Sequence, residues 1–230
     1  MSAIAANLQA VRDRIARAAR AARRPPDGIV LLAVSKTMPS ERIAQAHAAG
    51  QQAFGENTVQ EGVEKITNLA TLRPAPVWHF IGPIQSNKTG PIAAHFQWVH
   101  GVDRGRIAER LSAARPEGLP PLNVCIQVNV SGEASKSGVT PGAEVGLAEI
   151  VARLPRLKLR GLMAIPEPTA DIALQRRRFA LLRELRDGLV ARGYVLDTLS
   201  MGMSDDFEAA IAEGATIVRI GTAIFGPRAR

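Results

Sequence analysis

Short apolar runs typical of β-strands alternate with helical patterns along most of the chain. Eight runs predict strands, at residues 29–35, 52–55, 77–81, 98–102, 123–130, 157–163, 198–201 and 216–220. Helical spacing of apolar residues predicts a helix after each strand but the last, over residues 39–49, 57–70, 86–95, 104–115, 143–154, 171–191 and 205–213. Repeated strand–helix units with short connections favour an α/β fold, a single TIM-like (β/α)₈ barrel. An open doubly wound sheet is the structural alternative.

The first 24 residues predict an extra helix ahead of the barrel. Their apolar positions fall one and two turns apart on a single helical face, at Ile4, Leu8, Val11 and Ile15. The same segment holds six arginines and one aspartate, so most of the net charge of +8 belongs to it. A basic, solvated helix face is the favoured interpretation, and a surface for RNA or membrane is the alternative.

Length and composition set the domain count and the class of protein. The 230 residues lie near the lower end of the roughly 200–250 that a complete barrel needs, so residues 1–230 are predicted to be one domain. No run approaches the ~20 apolar residues of a membrane span. Cys125 is the lone cysteine, which excludes an internal disulfide, fits a reducing cytoplasm and suggests a core filler.

Lys36 is the leading candidate for chemistry. Reactive residues of such barrels gather at the carboxyl ends of the strands, and the chain has only five lysines. Lys36 alone directly ends a strongly apolar strand, in Leu-Leu-Ala-Val-Ser-Lys-Thr. It is either a solvated rim residue or an amine in a dry pocket, where desolvation favours the neutral form that attacks carbonyls.

The loops after the last two predicted strands resemble a phosphate site. They read Ser-Met-Gly-Met-Ser-Asp-Asp at 200–206 and Arg-Ile-Gly-Thr-Ala-Ile-Phe-Gly at 219–226. Their glycines let backbone N–H groups approach an anion, and Ser204 and Thr222 supply hydroxyl donors. The alternative is that the glycines only permit tight turns. Ser204 is also a candidate N-cap, and Asp205 and Asp206 are expected to point away from the phosphate site.

Other polar residues are weaker candidates. Glu56 and Asn57 follow the second predicted strand, which places a carboxylate and an amide at the same rim, although a helix N-cap role explains Asn57 equally well. His79 is more typical of a satisfied histidine in the barrel than of a base, and the four histidines show no metal-binding spacing. Gln127 and Asn129 alternate onto one face, the expected polar upper interior of the barrel.

Seven stretches of the sequence together match the pattern of one protein family. The sequence resembles the pyridoxal-phosphate homeostasis proteins, also called PLP-binding or proline-synthetase co-transcribed homologues. The stretches are Ala-Val-Ser-Lys-Thr (33–37), Phe-Gly-Glu-Asn (54–57), Trp-His-Phe-Ile-Gly-Pro-Ile-Gln-Ser-Asn-Lys (78–88), Ser-Lys-Ser-Gly (135–138), Gly-Leu-Met-Ala (161–164), Ser-Met-Gly-Met-Ser-Asp-Asp (200–206) and Val-Arg-Ile-Gly-Thr-Ala-Ile-Phe-Gly (218–226). They extend from the first predicted strand to the last.

The resemblance implies a fold-type III PLP protein, with a barrel like the N-terminal one of alanine racemase. It implies pyridoxal 5′-phosphate (PLP) as cofactor, held as a Schiff base on Lys36 and used for intracellular vitamin B6 homeostasis without established turnover. The resemblance further implies that the phosphate is held by Ser204, Gly221 and Thr222. It also implies that Arg219 faces the pyridine nitrogen and that Asn57 lies beside the ring. The C-terminal domain of the racemases, which supplies a catalytic tyrosine, is missing. The only tyrosine, Tyr194, is expected away from the rim.

Three rival functions remain open at this point. A PLP-dependent racemase or decarboxylase needs an acid–base partner for Lys36, for which His79 and Lys136 are the nearest candidates. A Schiff-base aldolase would use Lys36 without PLP. A basic nucleic-acid module is disfavoured by the terminal position of the charge and by only nine aromatic residues. We expect a cytoplasmic monomer that binds PLP and amino acids and serves PLP-dependent client enzymes, with no nucleic-acid or membrane partner.

Overall fold

A closed barrel of parallel strands forms the centre of the molecule. The computed structural model describes residues 2–133 and 137–227. Each strand is hydrogen-bonded to the next in chain order, and the last pairs with the first, for example Leu31 with Val218. The predicted barrel is therefore confirmed, and the open doubly wound sheet is wrong. No helix in the described part of the chain is long and apolar enough to cross a bilayer.

Strands and helices alternate as the apolar pattern predicts. The strands of the described residues are β1 (Val30–Val34), β2 (Ala53–Glu56), β3 (Val77–Phe80), β4 (Trp98–Val102), β5 (Leu122–Gln127), β6 (Leu157–Met163), β7 (Thr198–Ser200) and β8 (Ile217–Ile220). The helices are α1 (Ala3–Ala21), α2 (Ser40–Ala48), α3 (Val59–Asn68), α4 (Thr89–His95), α5 (Gly105–Ala114), α6 (Glu144–Ala152), α7 (Ile172–Ala191), α8 (Phe207–Ala212) and α9 (Thr222–Phe225).

Strand alternation separates an outer apolar layer from a partly polar interior. In β3, Trp78 packs against Phe54 of β2 and Phe80 packs against Phe96, with ring centroids 5.6 and 5.4 Å apart. His79 lies between them in sequence and faces the opposite way, towards the barrel axis. The outer layer packs the helices onto the barrel, which leaves the interior free for polar groups.

The extra N-terminal helix is confirmed, with shorter bounds than residues 1–24. Helix α1 buries the four predicted apolar residues and also Ala19. The backbone leaves the helix after Ala21, and Arg23 adopts a left-handed conformation with φ of 55°. The two prolines at 25 and 26 then exclude a continued helix.

The end of β5 and the segment after β8 differ from the sequence-based prediction. Strand β5 stops at Gln127 instead of residue 130, because Val128 then forms an isolated parallel bridge with Val139. Helix α9, directly after β8, was not predicted, since four residues are too few for a helical pattern to register. The motif at 135–138 is described only in part, and Lys136 lies outside the described residues.

Candidate functional site

A cavity of about 380 Å³ opens at the carboxyl end of the barrel. Loops that follow β1, β2, β3, β6, β7 and β8 line it. The cavity wall is otherwise largely apolar, with Ile81, Ile165 and Phe225 among its residues. All six residues predicted for the cofactor site are brought together in this wall, namely Lys36, Asn57, Ser204, Arg219, Gly221 and Thr222.

Lys36 is the one lysine of the described residues that lines this cavity. Strand β1 ends at Val34, and the N–H of Ser35 still donates to the carbonyl of Gly55 at 3.0 Å, so the backbone is held in the barrel up to Lys36. Lys65 is buried elsewhere, Lys88 lines a neighbouring cavity, and Lys158 is exposed. The structure therefore separates Lys36 from the other described lysines by position alone.

Glycines permit close packing of the loops after β7 and β8, the first against α8 and the second against the end of β1. Gly202 has φ of 93°, and a Cβ there would lie 2.6 Å from the Cβ of Ala210. A Cβ on Gly221 would lie 3.0 Å from the carbonyl oxygen of Val34. Thr222 follows as the first residue of α9, so its hydroxyl and the free N–H groups of a helix start lie at the cavity. A short extra helix of this kind is the usual phosphate-binding element of such barrels.

The expected roles of the residues at 204–206 need correction. Asp206 takes the N-cap position of α8 in place of Ser204, which lies in the preceding turn and lines the cavity. The Oδ1 atom of Asp206 accepts from the N–H of Met203 at 2.6 Å, so this carboxylate closes its own turn. Asp205 is exposed and lines the cavity, against the expectation that both aspartates point away.

Arg219 places a buried cation at the floor of the cavity. Its Nη1 donates to the carbonyl and the hydroxyl of Ser200 at 2.6 and 2.7 Å, and its Nη2 donates to the carbonyl of Ala164 at 2.8 Å. Burial lowers the pKa of Arg219 to about 10, which still leaves the guanidinium charged near neutral pH. The cation is therefore fixed in orientation and presents donors only.

A chain of hydrogen bonds continues from Arg219 across the barrel interior. The hydroxyl of Ser200 accepts from Arg219, so its own proton is directed to Nδ1 of His100, 2.8 Å away. His100 Nε2 then donates to Nδ1 of His79 over 2.9 Å. Burial lowers the pKa of His79 to about 3 and that of His100 well below its ordinary value, so both rings are neutral.

His79 does not reach the candidate site. It lines a separate cavity of about 690 Å³ at the opposite end of the barrel, where its ring stacks on Trp98 with centroids 5.3 Å apart. The expectation of a satisfied barrel histidine fits this position. The racemase hypothesis thereby loses His79 as an acid–base partner of Lys36, and its other candidate, Lys136, lies outside the described residues.

Asn57 lines the cavity and does not cap a helix. Helix α3 begins at Val59 with Thr58 in the N-cap position, so the alternative role of Asn57 is wrong. The loop after β3 approaches Asn57 so closely that a Cβ on Gly82 would lie 2.2 Å from the Asn57 carbonyl oxygen. Only glycine permits that approach, and this constraint was not visible from the sequence.

Gln127 at the end of β5 and Asn129 just beyond it hold the following loop and are not part of the cavity wall. Gln127 donates from Nε2 to the carbonyl of Ser137 at 3.1 Å, and Asn129 donates from Nδ2 to the carbonyl of Glu133 at 2.8 Å. The expectation that they form a polar upper interior is thus wrong for Asn129, whose side chain serves its own loop. Tyr194 follows α7 and is absent from the cavity wall, as predicted.

Comparison with known proteins gives consistent relatives over nearly the whole chain. The alanine racemase N-terminal domain family matches residues 6–229. The pyridoxal phosphate homeostasis protein of Pseudomonas aeruginosa is 64% identical over 229 residues, which cover 99% of this chain and 97% of that protein. The protein of the same description from Escherichia coli K12 is 55% identical, with 99% and 98% covered.

Solved structures of known proteins show the same fold as this chain. PipY of Synechococcus elongatus with PLP bound superimposes with a TM-score of 0.84 at 36% identity, over 97% of this chain and all of PipY. Alanine racemase from Corynebacterium glutamicum shares the fold, with a TM-score of 0.71 at 17% identity, and this chain spans 60% of it. By sequence and by fold, the chain belongs to the alanine racemase N-terminal domain family and, within it, to the pyridoxal phosphate homeostasis proteins.

Proposed function

We propose that this protein binds PLP in the cavity at the carboxyl end of the barrel and takes part in PLP homeostasis by holding and releasing it. In this proposal Lys36 holds the cofactor as a Schiff base. One observation carries it: the cavity wall combines Lys36, the one lysine there among the described residues, with a buried cation and two hydroxyl groups. PLP has the matching parts, an aldehyde, a pyridine nitrogen and a phosphate.

The shape and chemistry of the cavity fit this ligand. A volume of about 380 Å³ lies within the range of about 300–1,000 Å³ typical of small-molecule sites. Ser204, Gly221 and Thr222 would hold the phosphate through hydroxyl and backbone donors at the start of α9. Arg219 would donate to the pyridine nitrogen and Asn57 would lie beside the ring. The PLP-bound relative PipY supports the same assignment at the level of the ligand.

The test is the visible spectrum of the purified protein, before and after borohydride, followed by mapping of the reduced adduct. We expect a coloured protein whose fixed adduct is on Lys36. Lys36→Ala should be folded and colourless, whereas Lys88→Ala, in the neighbouring cavity, should keep the colour. An adduct on Lys65, Lys88 or Lys136 would refute the assignment, and a protein that binds sugar phosphates without PLP would favour the aldolase.

The remaining parts of the proposal concern setting and partners. We place the protein in the cytoplasm. The lone, buried Cys125 supports this because a single cysteine cannot form an internal disulfide, the bond that an oxidising compartment favours. We further propose a monomer built as a single domain, which binds amino acids beside PLP and passes the cofactor to PLP-dependent client enzymes. The size of the molecule in solution and cofactor transfer to an apoenzyme are the measurements that check these points.

A further inference from the structure

A cluster of three charged side chains, two of them buried, lies beside the chain segment that carries Lys36, between the ends of β1 and β2 and helix α3. Its members are Glu56, Glu61 and Lys65, called here the Lys65 cluster. Lys65 donates from Nζ to Glu56 Oε1 at 2.9 Å and to Glu61 Oε1 at 2.6 Å. The side chains of Lys65 and Glu56 are 6% and 0% exposed, so this is an ion pair within the core. The sequence analysis placed Glu56 at the barrel rim as a weak candidate, and the structure instead buries it as the last residue of β2, outside the cavity wall. Glu61 and Lys65 were not singled out as members of a site.

The Lys65 cluster holds the backbone on both sides of Lys36. Lys65 also donates to the carbonyl of Ser35 at 2.7 Å, and the Ser35 hydroxyl donates to Glu56 Oε1 at 2.6 Å. On the other side, the N–H of Thr37 donates to Glu61 Oε1 at 2.5 Å. The residues immediately before and after Lys36 are therefore both tied to the same three side chains.

The backbone at Thr37 needs this support. Thr37 has φ of 64°, a left-handed conformation that is rare for a β-branched residue. Such conformations store about 1–3 kcal/mol of strain and persist where the surroundings impose them, most often at functional sites. The N–H of Met38 donates to the carbonyl of Ser35 at 3.0 Å and closes this turn. The bond from Thr37 to Glu61 is a second contact that holds the turn directly after Lys36.

A buried ion pair such as that of Lys65 with Glu56 is by itself weak evidence for a role in stability. Removing charges from water is unfavourable, and buried ion pairs are often replaceable by apolar residues without loss of stability. The Oε2 atom of Glu56 has no hydrogen-bond partner among the described residues, and burial raises the pKa of this carboxyl group. The cluster thus keeps an imperfectly satisfied carboxylate in the core while it makes three contacts to the chain beside Lys36.

We propose that Glu56, Glu61 and Lys65 are positioning residues, which fix the backbone of Lys36 so that its amine faces a carbonyl bound in the cavity. This inference rests on the proposed function, in which Lys36 reacts with the aldehyde of PLP. In the described part of the chain, the hydrogen bonds of Glu61 and Lys65 go to the backbone beside Lys36 and to each other and Glu56, and not to the residues proposed for the phosphate or the ring. Loss of the cluster should therefore impair capture of the aldehyde and spare the other contacts.

The test compares PLP with pyridoxine 5′-phosphate, which has the same ring and phosphate but an alcohol in place of the aldehyde. Calorimetric titration of the full-length apoprotein gives both affinities. Glu61→Ala and Lys65→Met should weaken PLP about tenfold or more and change pyridoxine 5′-phosphate less than about twofold. Glu61→Gln should restore much of the PLP affinity, since its amide oxygen can still accept from Thr37. Glu64→Ala removes an exposed charge from the same helix and should change neither ligand.

Three results would overturn the inference. Equal losses for both ligands would mean that the Lys65 cluster only supports the fold, and unchanged PLP affinity in Glu61→Ala would mean that it does not act on Lys36. Glu61 is 29% exposed, so its variants keep the test valid if Lys65→Met does not fold. The third result is an unsubstituted protein that forms no borohydride-fixed adduct on Lys36, which refutes the proposed function as well. An adduct there with unaffected variants refutes the inference alone.

Discussion

The hydrogen-bond donors of the cavity wall form two groups, which differ in charge and in the part of PLP that each would bind. The donors near α9 are neutral hydroxyl and backbone groups, while the cation, Arg219, lies on the floor and is held by Ser200 and Ala164. A phosphate would therefore be bound by neutral donors, and the ring nitrogen by a group that can only donate. These two sets of contacts can be separated by ligands that lack one or the other.

The phosphate contacts predict a clear difference between PLP and pyridoxal. Each lost charge-assisted hydrogen bond is worth on the order of 1.5–3 kcal/mol, so Thr222→Val or Ser204→Ala should weaken PLP about tenfold or more. Pyridoxal lacks the phosphate, and its affinity should change little. Thr67→Val, on the exposed face of α3, should leave both affinities unchanged in the same titration. Parallel losses for both ligands would show that the phosphate is bound elsewhere.

The buried histidine pair predicts a loss of stability in acid. The pKa of His79 is lowered to about 3, and that of His100 is lowered well below its ordinary value, mainly by burial. The unfolded chain therefore binds more protons than the folded one below about pH 6.5. The free energy of unfolding should fall as the pH is lowered from about 6.5 towards about 3, by up to about 1.4 kcal/mol per pH unit for each ring.

Urea denaturation at several pH values measures this dependence. His79→Gln removes one titrating ring from the core, so the stability of this variant should fall less steeply with acid, from a lower starting value. Val99→Ala, a core substitution that removes no titrating group, is the control: it lowers the starting stability and should keep the original slope. A slope that is the same in His79→Gln and the unsubstituted protein would contradict the assignment of neutral rings.

At the scale of elements, the short helix α9 depends on its neighbours. Asn7 of α1 donates from Nδ2 to the carbonyl of Ile224 at 3.0 Å, and Arg42 of α2 donates from Nη2 to the carbonyl of Phe225 at 2.5 Å. A helix of four residues has little stability of its own, so these contacts hold its free carbonyl groups in place. The extra N-terminal helix thereby supports the proposed phosphate site from behind.

This arrangement predicts that residues remote from the cavity affect its affinity for phosphate. The double variant Asn7→Ala/Arg42→Met should weaken PLP several-fold, because Thr222 at the start of α9 loses its fixed position. Competition with inorganic phosphate should weaken in parallel. Arg14→Ala removes an exposed ion pair between α1 and α8 and should alter stability by less than about 1 kcal/mol without a change in affinity. Unaltered PLP binding in the double variant would exclude this role of α1 and α2.

At the scale of the whole molecule, the described wall of the cavity holds the proposed cofactor residues but few further groups for proton transfer. The Arg219 guanidinium stays charged near neutral pH and would donate to the pyridine nitrogen, which favours the unprotonated ring. An unprotonated pyridine withdraws electrons weakly from an amino acid bound to the cofactor. The described histidines at the barrel axis also lie away from the cavity, with His79 at the opposite end.

These features predict slow exchange of amino-acid α-protons. Alanine incubated with the PLP-loaded protein in deuterated water should be deuterated scarcely faster than with free PLP, as mass spectrometry would measure. A protein reduced with borohydride is the matched control, because its lysine can no longer exchange with the amino acid. Rapid deuteration that depends on Lys36 would refute the carrier function and favour the racemase alternative.

Local sequence patterns determined the secondary structure and part of the candidate site. Strand and helix positions depend on residues a few positions apart, which is why the eight strands, the amphipathic α1 and the place of Lys36 at a strand end were predictable. The glycine-rich loops at 200–206 and 219–226 were recognisable for the same reason, since the conformational freedom of glycine is a property of the residue.

The tertiary structure decided what depends on contacts between distant parts of the chain. Closure of the barrel is a pairing of β1 with β8, and the hydrogen bond of His100 with Ser200 joins residues 100 positions apart. The contact of Lys65 with Ser35 likewise exists only because α3 packs behind β1. None of these contacts can be predicted from local periodicity, because the residues involved come close together and become buried only when the barrel has closed.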